Sequence, residues 1–403
     1  MAEPGPVERY LELGLRLGRL LDGLVDSYYG PPELARRVGA EPSPSAGALA
    51  DDARRLLADL DAGTDETDGE PLGPQRRAWL RVQVVGLHTT ARRLGGAAIG
   101  YVEEVESCYG VTPRRVPEDD LAQAHRALDD VLGGTGPLRD RIIVWREAQA
   151  VPPDLLRDAI ASLVDDFRER THRLFGLPEG ERVDFELVTD EPWAGFNYYL
   201  GGLRSRVAIN IDLPVLSTSL GALVAHEAYP GHHTEHSRKE VDLVRVRGRL
   251  EETIALVGTP QNLLAEGLAD LGLEVVAGVR PEPVVAAHLR PLGIPYDAEV
   301  AARVAEAGEA LGAVRGNLAL QLNADGADGD DVVAYAERWA LLPHNRAVKT
   351  VQFLTDPTWR AYIFCYVEGL PLCRRFVGGD AARFERLLSE QLVPADLAGS
   401  AHQ

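Results

Sequence analysis

His226, Glu227, His232, His233 and His236 fall within eleven residues of a 403-residue chain, in the run His226-Glu227-Ala228-Tyr229-Pro230-Gly231-His232-His233 and just beyond. A His-Glu pair with a second histidine about one turn later is how zinc hydrolases set two imidazoles and a general base around one metal. Here Pro230 occupies the i+4 position that the second histidine would normally hold. In an unbroken helix, i+6 lies about 120° around from i, and i+7 returns to the same face about 10 Å further along. Pro230 removes a backbone donor and Gly231 tolerates unusual dihedrals, so a two-residue bulge would carry His232 into the i+4 place. The spacing favours His232 as second ligand and leaves His233 as the alternative. Glu235 and His236 are expected in outer or surface positions.

A later segment supplies the third ligand. Residues 262–276 carry apolar side chains at helical spacing, and Glu266 and Asp270, four apart, share one face. Leu263, Leu264, Ala265, Leu268 and Ala269 surround them, so the polar stripe is narrow and suits a buried cleft. Glu266 would bind the metal. Asp270 would accept the free ring N–H of a ligating histidine and fix its tautomer.

These two segments resemble the bacterial family called domain of unknown function 885, itself similar to zinc peptidases with a His/His/Glu ligand set. The family pattern is His-Glu-x-x-Pro-Gly-His-His followed by Glu-Gly-Trp-Ala on a later helix. This chain matches the first fully and has Leu268 where the second has Trp. Weaker similarity covers Val25 to Pro32 and a Tyr-x-x-Gly element at Tyr366 and Gly369. The resemblance implies a mainly α, zincin-like metallopeptidase fold with a small β-sheet next to the metal-binding helix. It implies one zinc ion on His226, His232 and Glu266, with Glu227 as general base and Asp270 as orienting partner. Tyr366 would donate a hydrogen bond to the oxyanion. Arg360 is a candidate for a substrate carboxylate; His344 and Arg346 lie nearby in sequence without an assigned role.

The implied reaction is hydrolysis of short peptides or small amides by Glu-assisted attack of metal-activated water. Other readings are a small-molecule amidohydrolase, a biosynthetic enzyme reusing the site, or a metal-binding scaffold without turnover. The formal charge of −20 excludes nucleic acid and anionic membrane surfaces as expected partners. Cys108, Cys365 and Cys373 show neither pairing nor metal spacing, which points to a reducing, cytoplasmic setting. No secretory signal or membrane-spanning run is expected.

The elements that must hold the site are mostly helices. Periodicity predicts helices over 7–27, 47–62, 75–94, 98–108, 117–132 and 152–175, with a flexible connector at 63–74. Period-two alternation predicts strands at 183–188 and 206–211, joined by an aromatic and Gly-rich link at 193–202. The second strand, leading into the His226 helix, is expected to pair with substrate at a sheet edge. Helices follow at 281–291, 297–322 and 329–341, with a largely helical stretch at 343–376. Residues 1–175 thus read as an N-terminal helical region and 176–403 as the catalytic region, or as one domain around a central cleft.

Overall fold

Apolar side chains at helical spacing build most of the chain. Pro6–Gly18 forms α1, which buries Val7, Tyr10, Leu11, Leu13 and Leu17. Pro6 opens it where a missing N–H leaves no bond unmade. The helix ends at Gly18 and not near residue 27, because the chain folds back there. A Cβ on Gly18 would lie 2.6 Å from Val25 Cγ2. Val25–Tyr28 is instead a strand, β1. The computed structural model describes residues 4–63, 66–67, 70–191 and 193–399. Residues 64, 65, 68 and 69 of the expected connector lie outside these.

Ala46–Ala62 (α2), Pro74–Leu94 (α3), Tyr101–Tyr109 (α4) and Leu156–Phe175 (α5) follow the sequence periodicity closely. A further helix, Leu138–Glu147, was not foreseen; Ile142 is its one buried residue, so it carries little apolar pattern. Three strands come next: β2 (Arg182–Val188), β3 (Gly195–Gly201) and β4 (Arg204–Asn210). Their order is β2-β4-β3, with β4 parallel to β2 and antiparallel to β3. The strand expected at a sheet edge is therefore the central one. The Gly-rich link is itself the edge strand β3, and Gly201 and Gly202 at positive φ turn it tightly into β4.

Ser217–Glu227 (α6) and His232–Lys239 (α7) leave this sheet. Ile254–Leu256 (β5) pairs antiparallel with β1. Pro260–Ala277 (α8) and, near the end, Ile363–Val377 (α9) then cross. The chain is mainly helical with small sheets. The largest cluster of buried side chains joins α1 to α4 with α8, α9 and the C-terminal helices. It runs across residue 175, so both regions read from the sequence contribute to it. A second cluster packs α5, β4, α6 and the start of the segment after α8, with Phe167, Val207, Leu220 and Tyr229 buried.

The crossing of α8 and α9 is unusually close. A Cβ on Gly267 would lie 2.4 Å from the Gly369 carbonyl oxygen, and one on Gly369 2.7 Å from that of Leu263. Backbone meets backbone here, so neither glycine admits a side chain. Gly369→Ala should destabilise the protein by about 1–3 kcal/mol through overpacking. A thermal melt gives the test: a midpoint unchanged from the parent would mean the helices are not in this contact.

Candidate metal centre

The His226 helix does not bulge; it stops and restarts. The last regular bond of α6 is Ala228 N–H to the Val224 carbonyl at 3.0 Å. The Tyr229–Pro230 peptide is cis. Gly231 then donates back to the Ala225 carbonyl at 2.9 Å and Thr234 to that of Ala228 at 3.2 Å, while α7 opens at His232. A Cβ on Gly231 would stand 1.9 Å from the His226 carbonyl oxygen, so only glycine permits this return. Pro230 rests on α8, 3.1 Å from where a Cβ on Gly272 would be. The same turn is thereby fixed against the helix that carries Glu266 and Asp270.

His226 and His232 consequently face each other, Nε2 to Nε2, at 3.1 Å. Glu266 straddles them, with Oε2 3.3 Å from His226 Nε2 and Oε1 3.7 Å from His232 Nε2. A tetrahedral zinc site with bonds of about 2.0–2.2 Å has ligand-to-ligand edges of about 3.3–3.6 Å. The three spacings, 3.1, 3.3 and 3.7 Å, bracket that range. Among the described residues, these three form the one cluster of side chains able to hold a metal ion. Their side chains keep 17%, 14% and 7% exposure, so solvent reaches the centre. Glu266 Oε2 is buried and has no hydrogen-bond partner, since its contact with His226 lacks hydrogen-bond geometry. An orphaned carboxylate oxygen beside two imidazole nitrogens fits a divalent cation.

Outer partners hold two of the three. His226 Nδ1 meets Asp270 Oδ1 at 2.9 Å, as expected. Tyr362, at the head of α9, donates its hydroxyl to Glu266 Oε1 at 2.6 Å. The sequence pointed to Tyr366 and missed Tyr362, since no local pattern separates the two. Burial disfavours a charged His226, yet Asp270 and Glu266 outweigh it and hold its proton well above the usual histidine range. Burial, reinforced by the His226 charge, pushes His232 down to about 3. Without metal the pair is thus one imidazolium and one neutral ring.

Glu227 is buried and its carboxylate makes no hydrogen bond to any described residue. Only its backbone carbonyl is tied, accepting from Asn197 of β3 at 2.6 Å. A Cβ on Gly195 would lie 3.1 Å from Glu227 Oε1, so the glycine clears space for the acid. Burial, then the nearby acids, push its carboxyl up to about 7.

His233 is a structural residue. Its Nδ1 meets Ser205 Oγ at 2.8 Å and its Nε2 meets Glu181 Oε2 at 2.8 Å, so neither nitrogen is left for a metal. Tyr229 also donates to Glu181, at 2.6 Å. Glu235, expected in an outer or surface position, is buried and paired with Lys239 at 2.7 Å. His236 stacks on Tyr199.

Tyr366 lies one turn from Tyr362, ring to ring at 5.5 Å, half-buried and without a hydrogen bond to any described residue. Glu266, Glu227 and Asp270 are among the charges that, after burial, hold its hydroxyl protonated. Arg360, a candidate for a substrate carboxylate, is paired within the chain. Its guanidinium is committed to Glu104 of α4 at 3.0 Å, a partner 256 residues away that spacing could not reveal. His344 and Arg346 are exposed, and His344 bonds Glu337.

Two outcomes test this centre. His232→Ala should abolish stoichiometric zinc binding, whereas His233→Asn should keep it and lower the melting temperature; the reverse pattern would reassign the ligand. Zinc must also displace the His226 proton, so its apparent affinity should rise between pH 6 and 8, by up to about tenfold per unit. Equilibrium dialysis showing a flat affinity would contradict the His226 environment.

No family model matches this chain, and no curated protein matches it. Among solved structures it is similar to the "putative lipoprotein from Colwellia psychrerythraea", with TM-score 0.54, 16% identity, and 92% of this chain and 69% of that one covered. A "putative lipoprotein of unknown function from Shewanella oneidensis" aligns with TM-score 0.48 and 12% identity, over 98% of this chain and 82% of that one. The first likeness shows a shared fold.

Proposed function

We propose that this chain is a zinc-dependent metallohydrolase of zincin-like architecture, a peptidase acting on short peptides or related small amides. The observation that carries the reading is the convergence of His226, His232 and Glu266, with ligand atoms 3.1–3.7 Å apart, beside a buried carboxylate, Glu227, that holds no partner among the described residues. His226, His232 and Glu266 would hold the ion. Zinc bound there supplies Lewis acidity and acidifies its water toward about 7.

The remaining chemistry belongs to side chains of the chain. Glu227 takes the proton of the attacking water and delivers it to the leaving amine. Asp270 fixes the His226 tautomer, and Tyr362 fixes the Glu266 carboxylate. The free hydroxyl of Tyr366 donates to the developing oxyanion. The free edge of β3, tied to α6 through Asn197, offers backbone groups to an extended substrate. A pure binding scaffold has no use for an unpartnered buried acid, because burying it costs stability. The three buried, unpaired thiols support a reducing compartment. No helix among the described residues is long and apolar enough to cross a membrane. The charge of −20 supports a substrate other than nucleic acid.

Metal analysis with hydrolysis assays tests the proposal. The purified protein should carry one zinc, and His226→Ala or Glu266→Ala should lose it. Glu227→Gln should retain zinc while hydrolysis falls by about 10²- to 10⁴-fold. Zinc content indifferent to the ligand substitutions would refute the assignment. Turnover of acylated metabolites but of no peptide would move the substrate class to other amides.

A further inference from the structure

The groove between α6 and α8 continues beyond the metal centre, where the two helices run antiparallel. His226 meets Glu266 and Asp270. One turn earlier on α6, a Cβ on Gly221 would stand 3.7 Å from Leu273 Cδ2 of α8. Side chains on a helix lean toward its N-terminus, so the His226 imidazole overhangs the turn carrying Ala222, about 6 Å back along the axis. Ala222 is exposed, whereas Gly221, Val224 and Ala225 are buried, so this strip of α6 lies open. The groove widens here into a cavity of about 220 Å³. Thr218 and Ala222 of α6 and Leu273 of α8 line it, together with Trp145, Glu282 and Tyr296 from three other segments. The remaining lining is glycine, proline and aliphatic side chains. Glu282 opens the helix Glu282–Leu289, and a Cβ on Gly221 would lie 2.6 Å from Val285 Cγ2 of that helix. The wall bearing Glu282 is thus pressed directly onto α6, and the cavity is preformed.

One charged group lines this cavity, the carboxylate of Glu282. Its Oε2 is buried without a hydrogen-bond partner, and no cation among the described residues pairs with it. Arg280, two residues earlier, is with Glu299 at 3.9 Å. Tyr296 stands close enough for Glu282, after burial, to help hold its phenol protonated. A buried carboxylate without a counter-ion is unfavourable, and apolar walls do nothing to relieve it. The cavity is smaller than the roughly 300 Å³ of the smallest ordinary ligand pockets, so it fits a single side chain of a larger molecule. An aliphatic stem ending in a cation satisfies both parts of the lining. The stem covers the apolar surface and the head meets Glu282. Lysine and arginine have that form.

We propose that this cavity takes the side chain of a lysine or arginine next to the scissile bond, with Glu282 binding its cationic end. This rests on the peptidase reading above and names its substrate class. Glu282 touches the substrate and takes no part in the proton transfers of Glu227.

The test uses an equimolar mixture of short peptides that differ at one position, which holds lysine, arginine, norleucine or glutamate and is moved along the sequence. Depletion is followed by mass spectrometry with the zinc-loaded enzyme, and retention by equilibrium dialysis against zinc-loaded Glu227→Gln protein. Lysine and arginine peptides should be depleted and retained about 10- to 100-fold better than norleucine ones, the worth of a charge-assisted hydrogen bond. The cut should fall next to the basic residue. Glu282→Gln, alone and combined with Glu227→Gln, should bring that ratio close to one, and Glu282→Asp should restore part of it. Ala305→Leu, which fills the cavity and keeps Glu282, should lose the preference as well. A wild-type enzyme indifferent to the basic residue, or a preference kept by Glu282→Gln, overturns the assignment of the cavity while leaving the peptidase standing. Absence of both cleavage and retention for every peptide removes the peptidase reading, and the side-chain site with it.

Discussion

At residue 231 the chain passes so close to the end of α6 that a Cβ would stand 1.9 Å from the carbonyl oxygen of His226. That approach allows α7 to begin immediately and to present His232 to His226 across 3.1 Å. A longer or wider return would separate the imidazoles, since in a continuous helix residues six apart point about 120° from each other. The same device recurs around the centre. Gly195 leaves room for the Glu227 carboxylate, Gly272 receives Pro230, and Gly267 and Gly369 bring α9 against α8. Missing side chains at five glycines, on four backbone segments, set where the candidate site's side chains stand.

Fixed and free groups are cleanly divided in the result. His226 is held by Asp270, Glu266 by Tyr362, and the whole α7 start by His233 with Ser205 and Glu181. The Glu227 carboxylate and the Tyr366 hydroxyl stay unpaired among the described residues. Burying an acid in that state is unfavourable, and its carboxyl rises to about 7 as a result. The apolar core spanning both ends of the chain is what tolerates this local cost. Local conflict at the centre against consistency elsewhere is the pattern expected of a functional site.

Legibility in the sequence followed the range of each interaction. Helices were readable because a 3.6-residue period is local, and most boundaries in the N-terminal half fell within a few residues. Glu266 and Asp270 were readable for the same reason, being four apart on one helix. The strands β1 and β3 were not. One depends on pairing with residues 254–256, the other on an edge position that alternation cannot show in a segment rich in glycine. His233 and Arg360 illustrate the same limit. Each looks chemically available in sequence, and each is consumed by an acid, Glu181 or Glu104, that is distant along the chain.

Tyr362 and Tyr366 show how little separates a bound hydroxyl from an unpaired one. Four residues apart, they share a face of α9 but differ by about 6 Å along its axis. The close crossing at Gly369 presses that face toward Glu266, and the deeper phenol, Tyr362, reaches the carboxylate at 2.6 Å. The outer phenol, one turn later, overshoots it and remains half-buried with no described partner. The Tyr-x-x-Gly element therefore encodes a depth as well as a residue type: its glycine sets the register of α9 on α8, and that register decides which hydroxyl is left free.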